Sequence, residues 1–361
     1  MLERYGHGGD LRTAEESFGL PAEQFVDFSS NMNPFGPPDS VKAVLYRYAD
    51  EIGRYPDPAV RELRAKLANA HGIDEQSILI GNGAAELIDL VVRGLKPEIA
   101  GLAFPCFSEY SDAIRKTGAG IAEIMLPESE GFVLNLETIA SSESASAADF
   151  FIFGSPNNPT GKLVEPEVIR SLLERGATVV VDEAFMDFVP DEERYSFIRE
   201  ASCNKRLFVI RSMTKFYAVP GIRLGYMAGD PEQIAKLRRL QVPWSVNSLA
   251  QQIGEAVLEE REFALKTLQW LAEERPWLAD RLKRLGFKVY DSDANYLLAR
   301  LPDGLDLTSS SLQQNMGKRG ILIRDGAHFN GLDEKYCRFA VKTRSLNERL
   351  LRALEQELHS R

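Results

Sequence analysis

Cysteine is scarce in this chain. There are three, Cys106, Cys203 and Cys337, far apart and odd in number, which excludes a disulfide framework and fits a reducing compartment. The four histidines, His7, His71, His328 and His359, have no metal-ligand spacing, so no metal site is expected. Apolar runs are short: none reaches the length of a membrane span, and the first residues hold no apolar signal region. A cytoplasmic protein without a membrane partner is the expectation. Positive charge is in deficit, 43 basic against 53 acidic residues for a net charge of −10. That argues against a nucleic-acid or anionic-membrane surface, and any anionic ligand must be gathered by a local cluster of arginines. No internal repeat or long linker is visible, and the only low-complexity patch, residues 141–148, reads as a surface loop.

What remains is an ordinary globular composition over 361 residues, 44% hydrophobic and 27% charged, enough for one large domain and a smaller one. Residues 1–36 show little periodicity and read as an N-terminal arm. A large domain is expected over 37–245 and a smaller α+β domain over 246–361. Across the large domain short apolar runs, as at 78–80, 99–104, 150–153, 177–181 and 207–210, alternate with amphipathic helical stretches. The alternation predicts an α/β fold with a mostly parallel sheet covered by helices on both faces. A single long helical region is expected over 248–285.

The stretch organising the chain is 207–226. An apolar strand is followed by Ser212, Thr214 and Lys215, then a Pro220-Gly221 turn and Arg223, eight residues after the lysine. Held partly desolvated, the amine of Lys215 can form a Schiff base with an aldehyde. The hydroxyls and the guanidinium of Arg223 suit a phosphate dianion. Together they suggest pyridoxal 5′-phosphate, although the stretch taken alone favours a loop with a solvated lysine.

Three more motifs stand at predicted strand ends: GNGAAE at 81–86, SPNNPTG at 155–161 and DEAF at 182–185. A strand, a glycine turn and a helix start make an anion site from free N–H groups and the helix dipole. By itself the first motif is also an ordinary strand-to-helix turn. In a doubly wound sheet ligands lie beyond the carboxyl ends of the strands, where Asn82, Asn157, Asp182 and Lys215 all fall.

In order and spacing these four motifs resemble the fold-type I pyridoxal-phosphate enzymes, the aspartate aminotransferase superfamily, across the whole large domain. The resemblance implies roles. Lys215 would hold the cofactor and move protons at the substrate Cα, Asp182 would pair with the ring nitrogen, and Asn157 would bond the phenolic oxygen. Phe107 would stack on the ring, or simply pack in the core. Gly83, Ala84, Ala85, Ser212, Thr214 and Arg223 would bind the cofactor phosphate. Tyr55 resembles a tyrosine that reaches the phosphate from the other subunit, which implies a homodimer with shared sites. Arg338 resembles the arginine that grips the substrate carboxylate, against the alternative of a surface strand arginine. Phe185 stands where many relatives carry a tyrosine, so the phenolic oxygen has one partner fewer.

Within the superfamily the chain is similar to histidinol-phosphate aminotransferases and to threonine-phosphate decarboxylases of cobalamin biosynthesis. HGGD at 7–10, residues 27–38, IRDGAHFNGL at 323–332 and residues 338–350 resemble the decarboxylases; NPFGPP at 33–38 is shared with the aminotransferases, and HGGD and AVKTR at 340–344 do more to separate the two. That implies loss of CO2 from L-threonine O-3-phosphate to give (R)-1-amino-2-propanol O-2-phosphate. The other reading is transamination of histidinol phosphate, or a related amino-acid phosphate, with 2-oxoglutarate. Arg324, His7 and Asn31 are the candidates for the substrate phosphate, with His7 read equally as a turn residue.

Overall fold

The structure, a computed structural model, describes residues 2 and 8–359. The predicted sheet has seven strands in the spatial order Ile78–Gly81, Gly225–Ala228, Leu207–Ser212, Thr178–Asp182, Phe150–Gly154, Ile99–Phe104 and Gly120–Met125. All run parallel except Gly225–Ala228, which is antiparallel to both its neighbours.

Except in the edge strand Gly120–Met125, which exposes Glu123 and Met125, the strands are buried on both faces and their sequences are mainly apolar. Successive side chains point to opposite faces. Val179, Val181, Leu207 and Val209 therefore enter one core, and Val180, Phe208 and Ile210 enter the other. The helix Ala84–Leu95 closes the second face with Leu87, Val91 and their neighbours.

A second core surrounds the four-stranded sheet of Lys288–Val289, Tyr296–Arg300, Tyr336–Ala340 and Arg324–Asp325. Helices Arg261–Arg284, Ser309–Lys318 and Arg344–His359 cover it. The long helical region expected over 248–285 is two helices, Ser248–Val257 and Arg261–Arg284. The first packs against Asp39–Tyr48 and Arg61–His71, and its Ala250, Ile253 and Val257 belong to the large core. This helix therefore shares the core of the seven-stranded sheet.

The N-terminal arm is more regular than its sequence suggests. Leu11–Phe18 is a helix capped by Asp10, whose side chain accepts from the Thr13 N–H. Val26–Asp27 then pairs in parallel with Ile321–Leu322 of the smaller unit. Beyond that point the arm is fastened by its carbonyls. Phe28 O accepts from Ala340 N–H, Asn31 O from the Asn295 amide, and Ser30 O and Met32 O from Lys342 Nζ. Among the described residues no helix is long and apolar enough to cross a membrane.

Candidate active site

Strand ends, the starts of the helices Ala84–Leu95 and Ser108–Thr117, the arm and the smaller sheet enclose a cavity of about 430 Å³. Lys215 lies just past Leu207–Ser212, held by Asn33 N–H on its carbonyl at 3.1 Å. Burial and the nearby Arg223 and Arg338 push its amine down to about 8, against a smaller opposing pull from Asp182.

Asp182 ends the neighbouring strand and is buried. Its Oδ1 accepts from Ala184 N–H at 3.1 Å, and its Oδ2 from the hydroxyl of Tyr110 at 2.8 Å. Burial raises the carboxyl to about 6, although both hydrogen bonds and Lys215 favour its ionised form. Tyr110 is a site residue that the sequence reading missed. It lies one helical turn after Phe107 on Ser108–Thr117, so the two aromatic rings share a face toward the cavity, 5.7 Å apart. That i, i+3 pair was the available signal.

An anion cradle occupies one end. Ala84 and Ala85 open the helix Ala84–Leu95, with Ser212, Thr214 and Arg223 beside them. The Ser212 and Thr214 hydroxyls are 2.9 Å apart. Gly83 has φ +87°, and a Cβ there would lie 2.5 Å from an Arg223 Nη atom, so only glycine lets the guanidinium close on the helix start. Arg211, one residue before Ser212, points the other way and is buried with Glu183, Asp187 and Glu192. Strand alternation separates the cradle residue from the structural one.

At the opposite side stand Arg324 and Arg338, both 5% exposed and both lining the cavity. Arg338 donates to Ser29 O at 2.6 Å and to the side chain of Asn158. Asn31 also lines the cavity, and its buried amide oxygen has no hydrogen-bond partner among the described residues. Phe185 is buried on the wall, edge-on to Tyr296 with centroids 5.0 Å apart.

One expectation shifts by a residue. The Asn157 amide donates to Pro105 O and to Thr160 Oγ1, each at 2.9 Å, and Asn157 does not line the cavity. Its neighbour Asn158 does, with its side-chain oxygen on Arg338. Tyr55 does not line its own chain's cavity either. It is 85% exposed and packs on Trp244, with centroids 5.4 Å apart. His7 lies outside the described residues.

A buried, depressed lysine, a buried carboxylate across from it and a phosphate cradle at a helix start fit pyridoxal 5′-phosphate in charge and in donor set. The Gly83 cradle, which a Cβ would fill, is the sharpest part of that fit. Fold and site together define an enzyme of the fold-type I, pyridoxal-phosphate class. The chain belongs to the aminotransferase class I and II family, whose model matches residues 23–354. It is 40% identical over 359 residues to a threonine-phosphate decarboxylase of Salmonella typhimurium, covering 98% of this chain and 96% of that one. Among solved structures it resembles a histidinol-phosphate aminotransferase from Clostridium acetobutylicum, with a TM-score of 0.85 and 32% identity over 92% of this chain and 99% of that one. It also resembles an L-threonine-O-3-phosphate decarboxylase from Porphyromonas gingivalis, with a TM-score of 0.80 and 27% identity over the same shares.

Proposed function

We propose that this chain is a carboxy-lyase that removes CO2 from L-threonine O-3-phosphate, yielding (R)-1-amino-2-propanol O-2-phosphate for the aminopropanol arm of cobalamin, with pyridoxal 5′-phosphate as cofactor. The observation that carries the reading is the pair of buried cavity arginines, Arg324 and Arg338. Two guanidinium groups suit a substrate with two anionic groups, a carboxylate and a phosphate. The 40% identity to a threonine-phosphate decarboxylase over nearly the whole chain supports the same choice.

When bound, the cofactor supplies an electron sink for the charge left at Cα as the bond breaks. The chain's own residues do the rest. Asp182 would pair with the ring nitrogen and keep it protonated, Phe107 would cover the ring, and Asn158, which lines the cavity, would serve beside it in place of Asn157. Gly83, Ala84, Ala85, Ser212, Thr214 and Arg223 hold the cofactor phosphate. Lys215, neutral in part near pH 8, carries the cofactor and returns a proton to Cα after CO2 has left. Arg338 holds the substrate carboxylate, while Arg324, Asn31 and His7 hold the substrate phosphate. Arg338, on the cavity wall, would also set the direction of that carboxylate.

A homodimer completes the site in this reading. Tyr55, Ile52 and Trp244 are 85%, 72% and 53% exposed, an apolar patch that suits burial against a second copy and the delivery of Tyr55 to its phosphate cradle. The arm, large and small domains are proposed as one catalytic unit in the cytoplasm.

The test is substrate choice. The cofactor-loaded protein should consume O-phospho-L-threonine at the same rate with or without 2-oxoglutarate. Turnover of histidinol phosphate only when 2-oxoglutarate is present, with phosphothreonine untouched, would replace the lyase by an aminotransferase.

A further inference from the structure

Asp182 is held from two sides, and the side chain on one of them has no part in the family resemblance described above. Tyr110 is 2% exposed and its hydroxyl donates to Asp182 Oδ2 at 2.8 Å. The approach is possible because Gly154 sits opposite Asp182 in the parallel register. A Cβ at 154 would stand 3.1 Å from the Tyr110 hydroxyl, and also 3.1 Å from Asn157 Cα. The missing side chain of Gly154 is the channel through which the phenol reaches the carboxylate.

We propose that Tyr110, admitted by Gly154, is a positioning residue that fixes the orientation of the Asp182 carboxylate and keeps it ionised for the ring nitrogen of the cofactor. This inference rests on the pyridoxal-phosphate reading of the site.

Ala184 N–H occupies Oδ1 and Tyr110 occupies Oδ2, so the carboxylate plane is set by two donors on different elements. A hydrogen bond to the charged form of a buried acid favours that form, and here it opposes the desolvation that raises Asp182. The phenol stays a donor at every working pH, because burial and the Asp182 charge hold its own proton well above the usual tyrosine range. The other groups facing this pair are Lys215, which favours the ionised carboxylate, the hydroxyl of Tyr296 and the thiol of Cys106. Burial keeps that thiol protonated well above pH 9, and Tyr296 is raised far beyond pH 10. Neither competes for the proton. Cofactor chemistry then depends on Tyr110 through Asp182.

The experiment is a titration of the Asp182 carboxyl by 13C NMR in cofactor-free protein labelled at Asp Cγ, with Asp182→Asn to assign the signal. Tyr110→Phe removes only the hydroxyl. Gly154→Ala keeps the hydroxyl and displaces it. Both variants should move the Asp182 midpoint to higher pH than wild type. Both should also weaken pyridoxal 5′-phosphate binding at pH 7.5, by on the order of tenfold, the scale of one hydrogen bond to a charged group. An unchanged Asp182 midpoint in Tyr110→Phe would overturn the inference, and would do so even if Gly154→Ala failed to fold. Wild-type protein that binds no pyridoxal 5′-phosphate at all would instead overturn the functional reading, whatever the titration shows.

Discussion

Arg324 and Arg338 stand directly opposite each other in the antiparallel pairing of Arg324–Asp325 with Tyr336–Ala340. Both guanidinium groups lie against the ring of Phe329, at 5.0 and 5.9 Å from its centroid. An anionic ligand in the cavity meets both guanidinium groups. Inorganic phosphate should therefore raise the Tm of wild-type protein, and do so much less for Arg324→Met. The same variant should raise KM for the phosphorylated substrate by roughly 10- to 100-fold, the range for a lost charge-assisted contact. Steady-state kinetics check it, and an unchanged KM would remove Arg324 from the phosphate site.

The amine of Lys215 titrates near pH 8, mainly because it is buried and secondarily because of Arg223 and Arg338. Labelling of cofactor-free protein with an amine-reactive probe, read peptide by peptide in a mass spectrometer, should show Lys215 half-maximal near pH 8. Ordinary surface lysines react only toward about pH 10. Arg223→Met should move the Lys215 midpoint upward by removing one of the repelling charges.

Asp182 gives a stability prediction of definite sign. Its folded-state value is raised to about 6 from 3.8. Between those limits the folded state holds a proton that the unfolded chain has released. Stability of the cofactor-free protein therefore falls as pH rises from about 4 to about 6 and stays lower above that window. Across that window the loss is on the order of 3 kcal/mol. Asp182→Asn should consequently raise the Tm of cofactor-free protein at pH 7.5 while abolishing turnover after cofactor loading. A lower Tm would contradict the burial argument.

The two adjacent asparagines should separate cleanly. Asn157→Ala removes two buried hydrogen bonds, to Pro105 O and Thr160 Oγ1, and should cost about 1–3 kcal/mol of stability in denaturant melts. Asn158→Ala should act chiefly on kinetics, because its side chain meets Arg338 in the cavity. The reverse pattern would restore Asn157 to the ring.

Much of this was legible in the sequence, for physical reasons. Strands such as Ile99–Phe104 are buried on both faces and so read as unbroken apolar runs. Lys215, Asp182 and Arg223 are marked by their places at strand ends. The choice between Asn157 and Asn158 was not legible, since neighbouring residues in an irregular loop point in different directions without any periodic signal. Tyr110 and Asp182 are 72 positions apart, and only the parallel register that sets Gly154 beside Asp182 brings them together. The break between Ser248–Val257 and Arg261–Arg284 was hidden because both helices are amphipathic and a short turn joins them. The helix Leu11–Phe18 was missed although Asp10 stands three residues before the Thr13 that it caps, a signal of helix initiation.

The most direct measurement follows the carboxyl carbon. Cofactor-loaded protein is incubated with O-phospho-L-threonine carrying 13C in its carboxyl group, without any keto acid, and labelled CO2 and the remaining phosphate ester are quantified by mass spectrometry. Repeated turnovers that release labelled CO2 in equal amount to 1-amino-2-propanol O-2-phosphate are the predicted result. Retention of the label in the substrate, with amino-group transfer to 2-oxoglutarate once that acid is added, would contradict the account.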